Sequence, residues 1–62
     1  MIVQLTDSVA GTSVYINPRY VVTLRPDPAD PTKVTLVKLE DGETIRVRGE
    51  HAAVADKLAR TD

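Results

Sequence analysis

The chain is predicted to be α+β and mostly β: a small antiparallel sheet or half-open barrel of 4–5 strands with one C-terminal helix packed on it, all in a single domain spanning residues 1–62. Three observations point there. Short runs alternate apolar and polar residues and are punctuated by Gly, Pro, Asp and Asn. An Asp41-Gly42 pair sits between two such runs, as in a hairpin. After Gly49 the apolar period changes from two to about 3.6, the period of a helix.

The first strand is expected over residues 2–6, with Val3 and Leu5 on one face and Gln4 and Thr6 on the other. Residues 7–12 read as a turn. A second strand over 13–17 sets Val14 and Ile16 opposite Tyr15, and Asn17-Pro18 ends it because proline cannot donate to a ladder. A third over 20–25 sets Tyr20, Val22 and Leu24 against Val21, Thr23 and Arg25. Residues 26–31 hold three of the four prolines and read as an exposed hairpin loop.

Strands over 33–40 and 43–48 flank Asp41-Gly42. A two-residue type I′ turn there pairs Leu36 with Val47, Lys38 with Ile45, Val37 with Arg46 and Leu39 with Thr44. That register makes Val34, Leu36, Ile45 and Val47 the core face. It leaves Val37 and Leu39 on a second face among Thr35, Thr44, Arg46 and Arg48, more apolar than a solvated face needs. The helix is expected over 50–60, docking its Val54, Ala55 and Leu58 stripe on the core face, with Lys57 and Arg60 outward and an Asp56–Arg60 pair one turn apart.

Eight Lys and Arg against nine Asp and Glu give a net charge of −1, so no overall field draws the chain to nucleic acid or an anionic membrane. With no cysteine there is neither a disulfide nor a thiolate metal site, and so small a core leaves self-association as the remaining common source of stability. The start at Met1 is too short in its apolar run for a signal peptide, and nothing approaches a membrane span, so the expected location is cytoplasmic. His51 is the lone histidine, read as a first-turn helix residue. Neither Ser8 nor Ser13 lies in a nucleophile elbow, and the three glycines are isolated. No catalytic, metal or cofactor-binding residue is expected, no small-molecule substrate is implied, and the chain reads as a non-enzyme.

The candidate interaction face is therefore Val37, Leu39, Arg46 and Arg48, serving a homo-oligomer or a protein partner. The alternative is a small nucleic-acid-binding or regulatory β-domain, in which Arg46, Arg48 and Arg25 form a strip on phosphates that Glu40, Glu43 and Glu50 dilute.

The spacing of Met1-Ile2, Leu5-Thr6, Gly11, Tyr15-Ile16-Asn17-Pro18 and Val21 or Val22, then Val34-Thr35-Leu36, Asp41-Gly42, Val47 and a helix with Val54 and Leu58, resembles the FlbD/SwrD-type small flagellar proteins. The resemblance covers most of the chain. It implies a short cytoplasmic protein associated with flagellar function and swarming, without enzymatic activity.

Overall fold

Val, Ile and Thr suit a pleated, half-buried surface. In the computed structural model their five runs become β1 (Val3–Thr6), β2 (Ser13–Ile16), β3 (Val21–Pro26), β4 (Val34–Leu39) and β5 (Thr44–Arg48), followed by the helix α1 (His51–Ala59). The structure describes residues 2–59. Met1, Arg60 and the expected Asp56–Arg60 pair lie outside the described residues.

The architecture is α+β and mostly β, in two antiparallel sheets: β1 with β2, and β3-β4-β5 in that order. The two are stitched at one point. Asp7 bridges Val47, and the Ser8 N–H donates to the Arg46 carbonyl at 2.9 Å, so the end of β1 meets the free edge of β5. Between β2 and β3 the chain makes one 3-10 turn, Pro18–Tyr20, where the Asn17 carboxamide oxygen accepts the Arg19 N–H at 3.0 Å. Proline at the first position of that turn lacks only a donor that would have no partner anyway.

The hairpin between β4 and β5 differs from the expected one, and the difference inverts β4. The Gly42 N–H donates to the Leu39 carbonyl at 3.0 Å and the Leu39 N–H to the Glu43 carbonyl at 2.7 Å, so the connection has three residues, 40–42. Gly42 alone in it has positive φ, +93°, and Asp41 stays at negative φ while its carboxylate accepts the Glu43 N–H at 2.9 Å. This is a turn closed by a glycine bulge, not a type I′ turn. Leu36 therefore pairs with Arg46, Val37 with Ile45 and Thr35 with Val47, a slip of one residue. Because side chains alternate, every residue of β4 changes face relative to expectation. Val37 is 0 % exposed and belongs to the core, so it is no part of an exposed interaction face.

A second irregularity lies in β3. Val21 pairs with Leu39 but Thr23 pairs with Lys38, so Val22 is an extra, bulged residue. It points to solvent at 58 % exposure, while Val21 and Leu24 both pack on the core. Pro26 continues β3 opposite Thr35 rather than opening the loop, as a proline can on an edge strand.

The core joins Leu5 and Ile16 of the first sheet to Val37 and Val47 of the second, closed by Val54 and Leu58 of α1. The helix buries Val54 and Leu58 of its expected stripe while Ala55 stays exposed, and it does so against Val37 rather than Leu36. What aims it is Gly49. Its N–H donates to the Lys33 carbonyl at 2.7 Å, and its own carbonyl accepts the fully buried Thr35 hydroxyl at 2.9 Å. Thr35 is a buried polar side chain whose hydrogen bond ties the middle of the sheet to the start of the helix.

Candidate interaction site

The four residues expected to share one face are divided between two. Val37 is in the core and Leu39 packs partly against it, whereas Arg46 and Arg48 lie on the opposite, outer face. Residues directly paired across strands share a face, so that outer face can be read row by row. Arg25, Leu36 and Arg46 form one row; Thr23, Lys38 and Thr44 form the next; Val34 and Arg48 form the third. Thr23, Arg25, Leu36, Lys38 and Thr44 line a shallow depression of about 230 Å³. Lys38 belongs to this face although the expected register put it on the other.

One corner of the face is held by carboxylates. Asp27, buried at the mouth of the 27–33 loop, accepts from Arg46 Nε at 2.8 Å and Nη2 at 2.7 Å through Oδ2. Its Oδ1 accepts the Ala29 N–H at 2.9 Å. The Ala29 amide, and after it Arg46, holds the Asp27 carboxyl below its usual value of 3.8. Asp7 sits likewise, its Oδ1 accepting the N–H groups of Val9 and Ala10 at 2.8 and 2.9 Å. These amides, the Ala10 one first, lower its pKa as well, helped by the fields of Arg46 and Arg48.

Both shifts carry a stability consequence of defined sign. The folded form releases these protons more readily than the unfolded one. The contribution is therefore complete above the unfolded value of 3.8 and is lost as pH falls through the lowered folded values. Urea midpoints should decline below that pH, and Asp27→Asn together with Asp7→Asn should flatten the decline. A double variant whose midpoint falls in parallel with the wild type would show that these carboxylates are not the cause.

The second surface lies at the opposite end of the core. Val14, Tyr15, Ile16, Asn17, Tyr20, Leu39, Glu43 and Ile45 line a groove of about 240 Å³ beside β2. Tyr15 is 66 % exposed there, with Tyr20 also exposed. Among the described residues β2 is bonded to β1 and to no other strand, so its second edge offers unpaired backbone groups. That edge carries Ser13-Val14-Tyr15-Ile16, with no proline, glycine or charge. The equivalent edge of β3 has the Val22 bulge, Arg25 and Pro26.

Among the described residues no group of three or more His, Asp and Glu is arranged to hold a metal ion, and no helix is long and apolar enough to cross a membrane. No family model, curated protein or solved structure matches the chain. The geometry of these two surfaces is accordingly what bears on function. The β2 edge could have been found from the charge-free run 13–16, and Lys38 from its awkward place between Leu36 and Glu40 on a supposed core face.

Proposed function

We propose that the chain is a non-catalytic protein-interaction module of the cytoplasm that self-associates through the open edge of β2. The carrying observation is that the open edge of β2 has no bulge, proline or charge, unlike that of β3, and borders an apolar groove. Two copies meeting there in antiparallel fashion would be related by a two-fold axis, each using the same patch. The pairing would satisfy backbone groups of both strands and cover Tyr15 and the Leu39–Ile45 groove, adding apolar burial to a chain with a small core. The motility context rests on the resemblance of the sequence to FlbD/SwrD-type proteins.

Light scattering across a concentration series tests the reading. The wild type should approach twice the mass of 6.8 kDa, and Tyr15→Lys, which sets like charges against each other near the two-fold axis, should remain monomeric with an unchanged circular dichroism spectrum. A wild type that stays monomeric throughout, or a dimer indifferent to Tyr15→Lys, would overturn it.

A further inference from the structure

We propose that the outer face of β3, β4 and β5 binds single-stranded nucleic acid, with Arg25, Lys38 and Arg48 on its phosphates. This surface is separate from the β2 edge, and neither reading depends on the other. Four of the eight Lys and Arg of the chain, Arg25, Lys38, Arg46 and Arg48, project from this one face. The glutamates that would dilute them do not. Glu40 and Glu43 sit at the turn end, with Glu43 lining the groove on the core side, and Glu50 precedes the helix. Folding has separated charges that are interleaved in the sequence.

Arg46 is neutralised by Asp27. Arg25, Lys38 and Arg48 have no ion-pair partner among the described residues, although the Arg48 guanidinium leans over the 7–12 turn beside Gly11, where its field reaches Asp7. These cations do not converge on a point. Strands lie about 4.8 Å apart and alternate residues along a strand about 6.7 Å, so the charges are laid out over three strands as separate contacts. That layout suits a ligand with repeated negative charge, not an isolated anion. Between the cations, Leu36, Thr23 and Thr44 line the depression. Apolar surface beside hydroxyl and cationic donors matches alternating base and phosphate, with Arg25 able to lie flat on a base. A sheet face three strands wide presents no helix to a duplex groove, which favours a single strand of about four nucleotides.

Fluorescence anisotropy with labelled oligouridylate and oligothymidylate of about 12 nucleotides tests this. With three phosphate contacts the salt slope is about −2, so affinity should fall roughly twentyfold between about 50 and 200 mM salt. Arg25→Glu/Lys38→Glu should weaken binding at least about tenfold. Arg19→Glu, off this face, should leave it unchanged, and circular dichroism identifies the variants that fold. Arg25→Gln and Lys38→Gln serve if the glutamates do not. Preference for one oligomer identifies RNA or DNA as the ligand within the proposal. No anisotropy change at low salt, binding indifferent to the Arg25 and Lys38 changes, or equal competition by polyglutamate would each overturn it.

Discussion

Val37→Asp is expected to abolish folding, whereas Leu36→Asp is expected to leave the chain folded with a modest loss. Val37 is fully enclosed by the cluster of Leu5, Ile16, Val47, Val54 and Leu58. A carboxylate there has no partner, and its desolvation costs several kcal/mol even when it protonates. A core of this size supplies only about 3–5 kcal/mol, so one such substitution exhausts it. Leu36 gives up part of its burial, but its replacement lies opposite both Arg25 and Arg46, where a negative charge is attracted from each side. Far-ultraviolet circular dichroism of the pair is the check. The converse outcome, Leu36→Asp unfolded and Val37→Asp folded, would mean that the hairpin closes with two residues and that β4 presents its other face to the core.

The second large effect is expected at Gly49. Its φ is +122°, a region that side chains disfavour by about 1–3 kcal/mol, and an added Cβ would stand 3.2 Å from Val54 Cγ2. The backbone cannot relax easily, because Thr35 holds its carbonyl and Lys33 holds its amide. Gly49→Ala should lower the melting temperature by about 10 °C or more, taking about 4–8 °C per kcal/mol for a domain of this size. Gly42→Ala is the comparison. Gly42 is also at positive φ, but nothing lies within 4 Å of its added Cβ, so its loss should be smaller. Equal melting temperatures for the two variants would show that the close approach to Val54 adds nothing.

These two sites also mark where sequence reasoning succeeds and where it fails. Alternation located all five strands, and the change of period after Gly49 located the helix, because both patterns are local. Register is set elsewhere. Asp41-Gly42 is compatible with a two-residue turn if both residues take positive φ, and with a three-residue one if only Gly42 does. Asp41 keeps negative φ and spends its carboxylate on the Glu43 amide, a choice no pattern of apolar residues records. Lys38 carried the missing hint: the two-residue register puts it on the core face, and the observed one releases it to solvent. The Val22 bulge was hidden because Tyr20, Val22 and Leu24 alternate without interruption. Once the hairpin had slipped, the interaction face expected from Val37, Leu39, Arg46 and Arg48 could not survive as a unit.

The blunted edge of β3 governs how far assembly could run. A subunit with two sticky edges has a valence of two and grows without limit into a ribbon. The bulge at Val22, the charge of Arg25 and the missing donor of Pro26 make the β3 edge a poor template for such growth. Under the proposed β2 pairing, a dimer would therefore not extend through β3, which removes one route to the polymeric state that short β-branched strands otherwise favour.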